Sequence, residues 1–393
     1  MSRRNRRLGI SMTNQLKMTN AVLAFRGYNV KNLGRSAEML SDPAYGPTVR
    51  SVLAEASAVC ADVVGRPIDL AGRIEREEET TLATYDEAIA MIVAMEVAQL
   101  RLLSSFHGVD HQEARVSIGF SLGEIAALVA GGVYEMRDAL RIPLAMAADC
   151  ADLAKDVSMG VLFSRGESIS VERVDEVCLK LNAEGKGVLG VSAWLSPNSL
   201  LVMGTDDTVE RLKQHLSEIL PQRIYLRMNE HHWPPLHTPI VWERNITDRA
   251  SVMLHTLPGG FRAPKPPVLS MVTGKQSYHP FNSREIISSW IDHTQQLWDV
   301  VYELLSMGIE LVVHVGPHPN ILPATFDRLA ANVEAQTRGS RRMRALSAVI
   351  GRPWLQNLLP RRAALLRAPL VLHVTLEDWL LENSPGATSQ KSR

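Results

Sequence analysis

Five consecutive residues constrain this chain more than any others: Gly119-Phe120-Ser121-Leu122-Gly123. A short apolar run, 115–119, precedes the serine, and 121–131 has strong helical character. Strand, sharp turn and helix in immediate succession is the setting in which G-x-S-x-G lifts a serine hydroxyl clear of a sheet. Glycines on both sides remove Cβ atoms where the backbone crowds. The helix start offers N–H donors and a positive dipole end to a developing oxyanion. The same residues also suit a glycine-rich β–α turn that only packs tightly, so the serine needs a base to count as a nucleophile. Twelve histidines compete for that role, and most belong in solvent or core. His237 stands out because Pro234, Pro235 and Pro239 stiffen its loop, although stiffness alone does not decide the matter.

The rest of the chain reads as an α/β body with an insertion. Residues 21–25 form a short apolar strand running into a turn at Arg26-Gly27, and helical patterns follow at 48–64 and 85–106. From 159 to 228 the order becomes β-α-β-β-α-β, with strands at 160–164, 188–194, 199–203 and 223–227 and helices at 171–181 and 206–219. That order is the ferredoxin-like unit. The body resumes with a strand at 267–271, helix over most of 283–308 and a strand at 311–315. The expected divisions are a basic disordered tail at 1–19, a body at 20–156 and 229–334, an inserted subdomain at 157–228, and an Arg-rich extension at 335–393. Eight arginines lie from Arg338 to Arg367 with no acidic residue among them.

Composition narrows the functional classes. Hydrophobic residues at 46% and a formal net charge of zero describe an ordinary globular chain with no global field for nucleic acid or an anionic membrane. Cys60, Cys150 and Cys178 are scattered, giving neither a disulfide framework nor a metal site, which fits a reducing cytoplasm. The basic N-terminus lacks the apolar run of a signal peptide, and no stretch reads as the roughly 18 apolar residues that span a bilayer. The expectation is a cytoplasmic protein without stable membrane insertion, nucleic-acid partner, metal or cofactor.

The segment GFSLGEIAALVAGGVYEMRDALR resembles the nucleophile region of malonyl-CoA:acyl-carrier-protein transacylases and polyketide synthase acyltransferase domains, whose motif is GHSxGE. The resemblance continues at PPLHTPIV, similar to the family's AFHSPLM with its catalytic His. It extends to PPVLSMVTG, similar to PVISNVTG, and to GIELVVHVGPHPNIL, similar to GVDTFVEVGPHPVL. It covers about 20–332. It implies an α/β-hydrolase-like body with a parallel sheet and an inserted ferredoxin-like subdomain. It also implies a ping-pong transfer in which Ser121, with His237 as base, takes an acyl group from acyl-CoA and passes it to a phosphopantetheinylated acyl carrier protein. In this family a backbone carbonyl, rather than an acid, orients the His.

The departures bear on substrate. Met146 falls where the family's Arg forks onto a malonyl carboxylate, a bidentate contact Met cannot replace. Arg137 and Arg141 lie nearby, and Arg141 is about 140° around a helix from that position. Tyr28 falls at the first Gln of PGQGSQ, which helps build the oxyanion hole, leaving the Leu122 N–H as the other donor. Phe120 replaces the His of GHSxG, Leu195 replaces an Asn, and Pro234-Pro235-Leu236-His237 stands for HAFH or YASH. Polar pocket positions thus turn apolar while Ser121 and His237 persist, so a monocarboxylic or apolar acyl group is expected in place of malonyl. Two alternatives keep the resemblance: an acyl-thioester hydrolase, and a non-catalytic scaffold that binds carrier proteins. The Arg-rich segment fits an acidic carrier, an anionic membrane, or merely a solvated tail.

Overall fold

The computed structural model describes residues 16–164, 168–219, 224–318, 322, 325–331 and 361–385. Most of the expected basic tail, and the greater part of the Arg-rich segment, lie outside the described residues.

Two sheets organise the chain. The first has six strands in the order β10-β9-β1-β2-β7-β8, made of β1 (Ala21–Phe25), β2 (Val116–Gly119), β7 (Val268–Ser270), β8 (Lys275–Gln276), β9 (Leu311–Val315) and β10 (Leu372–Thr375). All neighbours are parallel except β7 and β8. β1 is central and completely buried, as expected of a parallel strand covered on both faces. Its residues alternate between two cores: Ala21, Leu23 and Phe25 face one, Val22 and Ala24 the other.

Helices clothe both faces. The main ones in the body are α1 (Gly46–Val64), α2 (Tyr85–His107), α3 (Leu122–Ala130) and α4 (Arg141–Leu153). α2 corrects the expectation that no stretch could span a bilayer. By length and composition 82–107 is apolar enough, and 78% of its apolar window is buried inside the fold. A helix apolar all round belongs in a core when other elements surround it; here α1, α3 and α4 pack on it.

The second sheet has four antiparallel strands, β3 (Val157–Ser164), β4 (Leu189–Ser196), β5 (Ser199–Thr205) and β6 (Ile224–Met228), in the order β4-β5-β3-β6. α5 (Val171–Asn182) and a helical stretch at 208–219, broken by a 3-10 turn at Lys213–His215, cover one face with a core of their own. The first and third strands lie side by side at the centre, the ferredoxin-like arrangement.

The body resumes with α6 (Ile246–Thr256), α7 (Ser283–Asp292) and α8 (Leu297–Ser306). The helix expected across 283–308 is therefore two, because 293–296 is drawn off to pair with β4: the Trp194 N–H donates to the Gln295 carbonyl, and the Gln295 N–H to the Ser192 carbonyl. The boundary expected at 334 also needs correcting. After a 3-10 segment (Arg361–Leu370), β10 adds a parallel strand to β9, and α9 (Leu376–Glu382) packs on α2. The described part of the presumed extension belongs to the body, since β9 would otherwise expose an unpaired edge.

Candidate active site

β2 ends at Gly119 and α3 begins at Leu122, so Ser121 must reverse the chain within two residues. It does so at φ 53° and ψ −120°, a conformation most side chains avoid. The flanking glycines make the turn feasible. A Cβ on Gly119 would lie 2.0 Å from the Gly123 carbonyl group, and one on Gly123 would lie 2.4 Å from the Phe25 carbonyl oxygen. Backbone packs on backbone here, and only glycine fits. The Gly123 and Glu124 N–H groups donate to the Phe120 and Ser121 carbonyls. The Leu122 N–H is left as the unused donor of the first helical turn, while its side chain is buried in the core.

His237 arrives from the loop after β6. Its Nε2 lies 2.8 Å from Ser121 Oγ, and its Nδ1 lies 2.6 Å from the Trp290 carbonyl. A carbonyl can only accept, so Nδ1 carries the proton and Nε2 presents its lone pair to the serine hydroxyl. That is the tautomer of a general base. The His237 N–H also donates to the Ile291 carbonyl at 2.7 Å. Both acceptors are last-turn carbonyls of α7, which lack intrahelical partners and carry the negative end of the helix dipole. A helix terminus occupies the place an acid holds in a Ser-His-Asp triad. Burial dominates the charge balance and pushes the His237 imidazole down to about 4, against the opposing pull of the Trp290 carbonyl and Asp292. His237 is therefore neutral, and ready to accept a proton, throughout the neutral range.

Trp290 serves twice, since its indole N–H also donates to the Ser121 carbonyl at 2.9 Å. Gln295, fully buried, accepts the Ser121 N–H through Oε1 at 3.2 Å and places Nε2 3.2 Å from His237 Nδ1. Without that acceptor a confined N–H would go unsatisfied, at a cost of about 1–3 kcal/mol.

No protein-family model matches the chain. In sequence it is 25% identical over 288 residues to the polyketide synthase GfsA of Streptomyces halstedii, covering 72% of this chain and 4% of that protein. It spans between 4% and 12% of the length of the curated relatives it matches, which are polyketide synthases for the most part. Among solved structures, MCAT from Streptococcus pneumoniae superposes with a TM-score of 0.62 at 21% identity, covering 78% of this chain and 92% of that one. A malonyl-transacylase solved in complex with its type II polyketide synthase acyl-carrier protein gives 0.58 at 22%, covering 78% and 91%. The fold is that of the malonyl-CoA:acyl carrier protein transacylases.

Within this transacylase fold, Ser121 and His237 border a cavity of about 400 Å³ between the two sheets. Phe120, Leu195, Leu236 and Tyr28, all singled out in the sequence, line it. The Tyr28 ring stands edge-on to Tyr85 and Trp233 at 4.8 and 5.8 Å, forming an aromatic wall. Met146 is different. It is 2% exposed, sits in the body core on α4, and is not part of the cavity wall. An Arg there would need a charged partner in the cavity, whereas the apolar Met chain is satisfied by core packing alone. Arg141 does not substitute, because it faces outward to Asp62 at 2.6 Å. The three cysteines are buried thiols, and burial pushes each up to about 12.

Three contributors escaped the sequence reading. Trp290 and Gln295 act through a carbonyl, an indole N–H and an amide, none of which leaves a motif. Arg328, which reaches the rim of the cavity, also carried no signal beyond its charge.

Proposed function

We propose that the chain is an acyltransferase that moves an acyl group from acyl-CoA to the phosphopantetheine thiol of an acyl carrier protein through an acyl-Ser121 intermediate. The observation that carries this reading is the Ser121 Oγ to His237 Nε2 contact at 2.8 Å on the edge of an apolar cavity. In the first half-reaction His237 Nε2 takes the hydroxyl proton as Oγ bonds the thioester carbon, and negative charge builds on the carbonyl oxygen near the Leu122 N–H. Collapse breaks the C–S bond, and the imidazolium returns its proton to the departing CoA thiolate. In the second half the carrier thiol gives its proton to His237 and attacks the ester, and Ser121 regains its proton. A thioester is an activated donor with a good leaving group, so a weakly basic His without an acid partner suffices. The complex of a similarly folded malonyl-transacylase with its carrier protein supports the choice of acceptor.

The acyl group we infer is apolar, not malonyl. The wall combines Phe120, Met159, Leu195, Met203, Trp233 and Leu236, and Met146 is withdrawn from it. Among the described residues the one cation lining the cavity is Arg328, which is exposed and shared with the neighbouring groove. A carboxylate buried against such a wall without a paired base is strongly disfavoured.

Intact-protein mass spectrometry after mixing the protein with acetyl-, butyryl-, octanoyl- and malonyl-CoA tests both statements, beside a Ser121→Ala control. A Ser121-dependent adduct is expected, strongest with an apolar chain. Equal or better loading of malonyl would overturn the substrate reading. Adduct discharge without any carrier would make the protein a hydrolase, and no adduct with no CoA release would make it a scaffold.

A further inference from the structure

The acyl-Ser121 reading underlies this inference, which concerns the residue lying between nucleophile and base. Gln295 sits in the break between α7 and α8, fastened through its backbone to β4 of the inserted sheet by two bonds of 2.9 Å. Its amide is thereby held in one place. The Ser121 backbone N–H can only donate, so the atom facing it is the amide oxygen, and the NH2 group faces His237 Nδ1.

We propose that Gln295 is a positioning residue that locks the Ser121 turn in register with His237 and, through the donor face of its amide, limits how strongly the imidazole holds a proton. The Trp290 carbonyl accepts from Nδ1–H at 2.6 Å, and the more distant amide nitrogen, at 3.2 Å, contributes no acceptor. When the serine proton moves to Nε2 the ring becomes a cation, and the Gln295 N–H dipole turns its positive end toward that cation. A donor there keeps the base weak, whereas an acceptor would stabilise the charged ring. Burial lowers His237, against the opposing pull of the Trp290 carbonyl and Asp292. The other titratable or charged groups bordering the same cavity are the hydroxyls of Tyr28 and Tyr85, and Arg328. None of these is a carboxylate; Asp292, held by His293 and the Trp242 indole N–H, is the acid already acting on His237, so an acid introduced at 295 is read against that constant background.

The probe is an alkyl fluorophosphonate, which needs an activated serine but no particular acyl chain. Its labelling rate is followed from pH 4 to 9 in the wild type, Ser121→Ala, Gln295→Glu and Gln295→Met. Gln295→Glu keeps an acceptor for the Ser121 N–H and adds one for Nδ1–H. It should label within tenfold of wild type at pH 8, with its acid limb raised by at least one pH unit. Gln295→Met loses both contacts and should label at least tenfold more slowly, with its acid limb raised less than that of Gln295→Glu. A wild-type acid limb in Gln295→Glu, or a wild-type rate in Gln295→Met, overturns the assignment. Circular dichroism checks the fold, and either variant decides alone if the other misfolds. Absence of Ser121 labelling in the wild type sinks the acyl-serine reading itself, while normal labelling with unmoved variants sinks only the role of Gln295.

Discussion

The two sheets meet at the Ser121–His237 pair and surround it with different kinds of atoms. From the parallel body come backbone groups: the strained turn at Ser121, the Leu122 N–H, and the Trp290 and Ile291 carbonyls at the end of α7. The antiparallel insert contributes side chains alone, Met159, Val161, Leu195, Leu201 and Met203, which join Tyr28, Phe120 and Leu236 of the body on the cavity wall. Backbone groups survive most substitutions, because any residue supplies them if the path of the chain is kept. A wall of side chains changes with each replacement. The departures from the family pattern lie in side chains, Tyr28, Phe120, Leu195 and Leu236 of the cavity wall among them, while Ser121, His237 and the backbone groups that hold them are in place.

The sharpest way to break this comparison is Ser121→Ala. If the body holds the chemistry, the variant should lose about 10³-fold or more of acyl transfer, the scale seen when a serine nucleophile is removed, while its thermal stability is unchanged or raised. Retained turnover in a steady-state CoA-release assay would move the chemistry elsewhere.

Gly123→Ala probes the backbone itself. Its new Cβ would meet the Phe25 and Arg26 carbonyl oxygens at 2.4 and 2.6 Å, with no flexible side chain to yield. A loss of about 3 kcal/mol or more in urea unfolding is expected, together with lost labelling of Ser121. A stable, active Gly123→Ala protein would show that the turn tolerates repacking.

The pH dependence of stability sets two groups of the body against each other. Glu124, buried at the start of α3, accepts from the Met271 N–H and the Tyr278 hydroxyl, and desolvation raises it to about 7. The folded chain holds this proton where the unfolded chain, near 4.5, has released it. The contribution is therefore full below about 4.5 and lost as pH rises toward 7. His237 has the opposite sign: lowered to about 4, it makes stability fall as pH drops from 6.5. The two offset each other across the shared range. Glu124→Gln removes one of them, so this variant should gain on the wild type by up to about 3 kcal/mol between pH 4.5 and 7. Parallel unfolding curves in that range would mean Glu124 titrates normally.

Much of this was legible in the sequence because it rests on local pattern. β9 covers the residues expected, β2 and α3 flank Ser121 as the glycines required, and the insert follows its β-α-β-β-α-β order. The illegible parts depend on contacts distant in sequence. Gln295 lies 174 residues from the N–H it satisfies, and Trp290 works through its carbonyl. The pairing of 293–296 with β4 outweighed helix periodicity over 283–308. Met146 was placed correctly on a helix, but which way its side chain would settle depends on the core around it. β10 was missed because an edge strand of four residues, half exposed, has little pattern of its own.

The smallest effect tests the insert side of the comparison. Leu195, on β4, is 9% exposed and faces the cavity beside Phe120 and Leu236. Leu195→Ala removes three carbons from the wall without touching the Ser121–His237 contact. The enlarged cavity should favour acyl chains longer by one to three methylenes, shifting the ratio of kcat/KM for long over short acyl-CoA by roughly tenfold. The labelling rate with fluorophosphonate should stay near wild type, since that reagent reports on the body alone. A uniform loss over all chain lengths would mean that Leu195 supports the fold instead of measuring the substrate. A selective loss of fluorophosphonate labelling would mean that wall and pair are coupled, and the division between backbone chemistry and side-chain selectivity would fail at the residue best placed to show it.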